Sequence, residues 1–291
     1  FLIIILYNPY NLFVSLNFVF ADFITALLIP CLFLMIISNY KNKFLIISIL
    51  IFALYLSKTN MFFLTILFTI AVLILEKDNK KYFVLIGLFL AVLFWSSFGF
   101  LKTGKIPIGQ SLISINSWGM SHVLNKDFSN YYPYRTVDQI NFKNKYKKFT
   151  NEWEFYDFYN NQNIEYLKKN KLETASNILV KANFIFFNIY KTGSQLSTYT
   201  KVKREIRISN IPNKMFLNLS IIILIFSLIV SYKKSNFNRY DIYFVVLLVS
   251  YLLPLLIGWA TNKHLIGLFI LSKIYILYKY ILKKNIKSKL I

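Results

Sequence analysis

The stretch FLIISILIFALYLSKTNMFFLTILFTIAVLIL, residues 44–75, decides the fold. Two apolar runs, Phe44–Leu56 and Met61–Leu75, flank a short polar joint, Ser57-Lys58-Thr59-Asn60. Neither run alternates apolar with polar residues as barrel or half-buried strands do, and neither contains glycine or proline. Both therefore read as helices. The joint is short enough to make them antiparallel neighbours.

Outward from this pair the pattern repeats. Apolar runs of similar character cover Leu12–Ile37, Tyr82–Leu101, Met215–Tyr232, Tyr240–Trp259 and His264–Leu282. The 291 residues are 56% hydrophobic and 19% aromatic, too apolar for the polar surface that a soluble domain of this size needs. A bilayer core takes about 20 apolar residues as a helix, and its backbone groups must be satisfied internally. The expected fold class is an all-α membrane protein, a polytopic helical bundle of about seven spans. Phe44–Leu56 and Met61–Leu75 are short for a core of about 30 Å, so they form a half-inserted hairpin or are extended by flanking residues. Three regions follow: spans within 1–101, a polar segment at 102–214, and three further spans with a basic tail at 215–291. Phe1–Leu6 is already apolar, so the chain is expected to start inside a span, with an N-terminal part missing.

Lysine and arginine set the orientation. Alternate ends of the spans carry Lys41 and Lys43, then Lys77, Lys80 and Lys81, then Lys233, Lys234 and Arg239. The tail adds Lys283, Lys284, Lys287 and Lys289. The opposite short loops carry only Lys58 and Lys263. The tail is therefore expected in the cytoplasm and segment 102–214 outside the cytoplasmic (inner) membrane. The net charge of +22 predicts anionic lipids as partners and, with so much of the chain in lipid, no nucleic acid. One cysteine, Cys31, allows neither an intrachain disulfide nor a cysteine metal site. His122 and His264 lack ligand spacing. No cofactor is predicted, and a divalent metal stays an open alternative.

The candidate site lies at the outer face. Lys58 and Lys263 are either turn residues snorkelling among head groups or a pair of cations for a phosphate at that depth. His264 would add a hydrogen bond. Asp22 interrupts an apolar run about ten residues from its outer end, roughly 15 Å at helical rise. An acid inside a span suggests function at the floor of an outward cavity, with Asn17 nearer its mouth. The alternative is a structural hydrogen bond to a neighbouring helix. Lys273, in LSKIYILYK, is expected to snorkel inward towards Asp241. Pro30 and Pro254 are expected to mark kinks.

In the outer segment, Gly104, Pro107 and Gly109 break helix, and Asn116, Trp118 and Gly119 suggest a turn. Its aromatic, Asn and Gln side chains suit sugar rings or an interfacial belt equally. Two helices are expected at about Asn151–Lys171 and Leu172–Lys191. The first carries its acids early and its lysines late, which suits the helix dipole. The second is amphipathic, with Lys181 bordering its apolar face, in reach of an interfacial phosphate or of water.

Several of these stretches, taken in order, resemble bacterial GT-C integral membrane glycosyltransferases. That group includes protein O-mannosyltransferases and lipid A aminoarabinose transferases. YNPYNLFVSLNFVFADFITALL is similar to the family's outer turn and acidic span, with Asp22 at the acidic position. LYLSKTNMFFL resembles a turn that usually holds arginine and proline; Lys58 and Asn60 stand there. TGKIPIGQSLISINSWG resembles a Gly-Lys-x-x-Pro stretch before a Ser-x-Asn turn, with Ser114 and Asn116 matching. Lys181 matches a lysine that follows the acidic, aromatic helix. WATNKHLIGLFIL resembles a last outer turn usually reading Asn-Arg-Tyr; here it reads Asn262, Lys263, His264.

The resemblance implies sugar transfer from a polyprenyl-phosphate donor to a lipid, glycan or protein acceptor on the outer face. Lys58, Lys263, His264 and Lys181 are then the candidates for the donor phosphate. Asp22, Asn17, Asn116 and Trp118 are candidates for the substrate cavity. The family's catalytic base lies in the first outer loop, which is expected upstream of Phe1. Lysine for arginine keeps the charge but loses the bidentate fork. Two other readings compete. An O-antigen ligase or polymerase would draw on Arg135 and His122. A non-enzymatic transporter component would need paired broken helices.

Overall fold

A computed structural model describes residues 21–57, 61–104, 237–257 and 266–288, with Ile106, Leu228, Ile229 and separate positions between Glu154 and Ser176. Among these residues the regular structure is helical throughout, with no strand. Six α-helices follow in order: α1 (Ala21–Ile37), α2 (Lys43–Ser57), α3 (Met61–Leu75), α4 (Phe83–Thr103), α5 (Arg239–Ile257) and α6 (Ile266–Ser288). A 3₁₀ turn, Asn79–Tyr82, leads into α4. One helical stretch, Asn79–Lys102, is long and apolar enough to cross a membrane by length and composition; α2 and α3 are shorter apolar helices.

Local chemistry sets the boundaries. After α1 the Ser38 amide bonds back to the Leu34 carbonyl at 3.1 Å, and its hydroxyl donates to Met35 O at 2.9 Å. The freed hydrogen bonds of the last turn are thereby used. Asp78 caps the 3₁₀ turn, its Oδ1 accepting from the Lys80 amide at 2.9 Å. Gly104 ends α4 in the left-handed region at φ 72° and donates its amide to Phe100 O at 2.8 Å. Only glycine takes that conformation without strain.

Ring contacts fix the directions of the helices. Tyr55 of α2 meets Phe62 of α3 at 5.8 Å across their joint, so these two are antiparallel. Gly87 of α4 packs on Ser48 of α2, and Phe94 meets Phe52 at 6.3 Å, so α2 and α4 run parallel. Gly267 of α6 packs on Ala26 of α1, and Tyr275 and Tyr278 meet Phe33, so α1 and α6 are parallel. Helix α5 runs against both: Phe244 stacks on Tyr275 at 4.0 Å, and Phe33 meets Phe244 edge-on at 6.1 Å. Aromatic pairs of these geometries contribute about 0.5–1.5 kcal/mol each beyond area burial. Phe33, Phe244 and Tyr275 sit in one core with Ile29, Ile47, Ile51, Leu64, Phe68 and Leu247.

Five expected spans are thus helices with nearly the expected limits. Leu12–Ile37 is described from Ala21 onward, and of Met215–Tyr232 only Leu228 and Ile229 are described, both helical. Helix α6 continues past the expected end at Leu282 to Ser288. Lysine is a good helix former and suits the negative C-terminal end of the dipole, so the basic tail extends the helix. Described positions from Glu154 to Lys169 are helical, Asn170 is not, and Lys171, Leu172, Ala175 and Ser176 are helical again. That break falls next to the expected junction of two outer helices at Lys171–Leu172.

Candidate functional site

Charged side chains gather at the end of the bundle where α1, α3 and α6 finish and α2, α4 and α5 begin. Its centre is the first turn of α5, Asn238-Arg239-Tyr240-Asp241. Asn238 Oδ1 accepts from the amides of Tyr240 (2.9 Å) and Asp241 (3.2 Å). Asp241 Oδ2 accepts from the Asn238 amide at 2.8 Å. This reciprocal arrangement is a capping box, in which each residue's side-chain oxygen accepts from the other's orphan backbone amide.

The same turn reaches two other helices. Arg239 Nη1 lies 3.5 Å from Glu76 Oε2, just past the end of α3. Lys279 Nζ of α6 lies 2.6 Å from the Asp241 carboxylate, and the Tyr275 hydroxyl donates to Asp241 Oδ1 at 2.7 Å. Glu76 also accepts from the Tyr243 hydroxyl at 3.3 Å and has Lys43 Nζ at 3.9 Å. Glu76 is 4% exposed and Asp241 0%. Carboxylates so deeply buried stay charged only when paired and hydrogen-bonded, as both are here.

Two of the lysines at this end cap helix C-termini. Lys81 Nζ donates to Leu73 O (2.6 Å) and Glu76 O (2.8 Å). Lys43 Nζ donates to Ile36 O (3.3 Å). Each places a cation on the open carbonyls of a helix C-terminus, where the dipole favours it. Both buried acids, Glu76 and Asp241, are engaged by cations and phenols among the described residues, so the arrangement holds helix ends together. No cluster of three His, Cys, Asp or Glu that could hold a metal occurs among the described residues.

At the opposite end α2 stops at Ser57 and α3 starts at Met61. There α1 and α6 lie close, since a Cβ on Gly267 would come 3.2 Å from Ala26 Cα. Asp22 belongs to the first turn of α1, one turn before Ala26. The other predicted site residues, Asn17, Lys58, Asn116, Trp118, Lys181, Lys263 and His264, lie outside the described residues, as do His122 and Arg135.

One expectation is corrected. Asp241 pairs with Lys279, not with Lys273. Tyr275 and Lys279 are four residues apart and share the face of α6 that meets α5. Lys273, two residues before Tyr275, points away from that face. It is half-buried and forms no ion pair among the described residues.

Glu76 is overshadowed in the sequence by Lys77, Lys80 and Lys81, which follow it. Two signals were present. The Asn-x-x-Asp spacing before an apolar run marks a capping box. Glu76 also ends its run at the same predicted face as Lys43 and Arg239. No family model matches the chain, and no curated protein or solved structure matches it.

Proposed function

We propose that this chain is a multi-pass membrane glycosyltransferase that moves a sugar from a polyprenyl-phosphate donor to an acceptor on the outer face of the cytoplasmic membrane. Support for the membrane setting comes from the bundle's exterior. Only 22% of the apolar window of Asn79–Lys102 is buried, and Ile74 and Phe89 are 75% and 64% exposed. An apolar exterior this continuous calls for a partner, and lipid fits it. Helices of 15 residues extend about 22 Å. Snorkelling lysines at their ends and local thinning of the bilayer make up the difference.

The observation that carries the site is the alternation of the helices. It collects Lys41, Lys43, Lys77, Lys80, Lys81 and Arg239 at one end, the cytoplasmic one by the positive-inside rule. The flanks of the candidate residues then belong to the other end. In sequence Lys58 falls between the end of α2 and the start of α3, and Lys263 and His264 fall just before α6, whose Gly267 packs on Ala26 of α1. That order supports the reading that these cations serve the outer end, the depth at which a prenyl carrier presents its phosphate.

In the proposed reaction an acceptor oxygen forms a bond to the anomeric carbon. The bond from that carbon to the phosphate oxygen breaks, polyprenyl phosphate leaves, and the acceptor proton passes to a carboxylate base. The base is not assigned to any described residue. Lys58 and Lys263 stabilise the charge that develops on the leaving phosphate. Asp22 positions substrate or helices. The test is sugar transfer from polyprenyl-phosphate donor by the full-length protein in liposomes. Lys58→Met and Lys263→Met should each lower the rate about 10²-fold. Transfer at the unmodified rate in both variants overturns the assignment.

A further inference from the structure

Two pairs of basic and aromatic residues flank packed elements at the charged end. Tyr40 and Lys41 lead into α2, and Lys80 and Tyr82 lie in the 3₁₀ turn before α4, which packs against α2. The ammonium groups of Lys43 and Lys81 are turned onto helix carbonyls. Lys41 and Lys80 behave differently. Both are exposed, and neither forms an ion pair among the described residues. The nearest exposed acid in sequence, Asp78, uses a carboxylate oxygen to accept the Lys80 amide. Tyr40 and Tyr82 are 53% and 56% exposed.

Immediately beyond this rim the two parallel helices present an uncovered apolar strip. Leu45 and Ile49 belong to α2, and Phe83, Leu90 and Phe94 to α4; all are exposed. The backbones close together where Gly87 meets Ser48, so the strip is continuous across both helices. A molecule that fits has an anionic head and apolar tails lying in the same direction as the helices.

We infer that Lys41, Lys80, Tyr40 and Tyr82 form a site for one anionic phospholipid, whose phosphate sits on the ammonium groups of Lys41 and Lys80 and whose acyl chains cover the α2–α4 strip. Charge complementarity selects the head group, and the tyrosines mark the interfacial depth. The inference rests on the membrane reading but not on sugar transfer, and it gives the inner face a ligand of its own.

The test titrates the detergent-solubilised full-length protein with phosphatidylglycerol or phosphatidylcholine and counts bound lipid by native mass spectrometry. Phosphatidylglycerol should bind more tightly. The Lys41→Gln/Lys80→Gln double variant should lose roughly fivefold of that preference per lysine removed. Lys102→Gln, at the far end of α4, should keep it. Equal binding of the two lipids, or a preference that survives the double variant, overturns the site. So does displacement of the lipid by an equal concentration of inorganic phosphate. Recovery of the protein in the soluble rather than the membrane fraction overturns the membrane reading itself, so the two failures are distinguishable.

Discussion

Asp241→Asn isolates the charge in the most buried ion pair described. Asparagine has one acceptor oxygen where Asp241 has two: facing the Asn238 amide it keeps the capping box, and its NH2 then donates to the Tyr275 oxygen, whose own proton must turn away. What is lost is the countercharge of Lys279, whose side chain is 15% exposed and whose Nζ lies 2.6 Å away. Breaking a buried pair from one side costs about 3–5 kcal/mol. Since asparagine still offers a hydrogen-bond acceptor, we expect the lower figure, about 3 kcal/mol. Lys279→Met should cost a similar amount by stranding Asp241. The double variant should be less destabilised than the sum, with a coupling of about 2 kcal/mol. Replacing Asp241 and Lys273 together should give a coupling below about 0.5 kcal/mol, since those two do not meet. The measurement is equilibrium unfolding of the purified protein in mixed micelles, followed by tryptophan fluorescence. A coupling to Lys273 larger than that to Lys279 would refute the assignment of faces on α6.

Gly87→Ala should destabilise by at least about 2 kcal/mol in the same assay, because its Cβ would fall on the carbonyl oxygen of Ser48. Gly267→Ala, with 3.2 Å to Ala26 Cα, should cost only about 1 kcal/mol, and an equal loss at both glycines would contradict the packing. Arg239→Met should cost under about 1 kcal/mol, since its side chain is 45% exposed and solvent screens its pair. Glu76→Gln, at 5% exposure, should cost more, about 2–3 kcal/mol, and the reverse order would place Glu76 outside the cluster. In a Cys31→Ser background, Lys102→Cys should react with an impermeant thiol reagent in intact cells and Lys77→Cys only after the membrane is opened. Labelling of both from one side would overturn the proposed orientation.

The helices themselves were legible because apolar runs without breakers leave little choice. Phe44–Leu56 and Met61–Leu75 were expected within a residue of α2 and α3. Their relative directions were legible too, since short polar joints force antiparallel neighbours. Partner choice was not. Lys273 and Lys279 both sit on a helix that faces the one acid of α5, Asp241, and only the rotation of α6 decides between them. That rotation is set by Gly267 on Ala26 and by Tyr275 on Phe244, contacts between segments far apart in the chain. Glu76 was hidden for a similar reason. Its meaning depends on Arg239 and Tyr243, more than 160 residues later. Of the candidate site, Asp22 alone has a described position, on α1.

The first turn of α5 grips α3 through Arg239 and α6 through Asp241 at once. Pulling α5 away from its neighbours at that end would sever both attachments and the capping box in a single event. At the other end α5 carries Pro254, which cannot supply a backbone hydrogen bond to Ser250. The helix is therefore stapled at its root and weakened near its tip, like a lever with a fixed fulcrum. Any lateral parting of α5 from its neighbours begins on the side away from the staple.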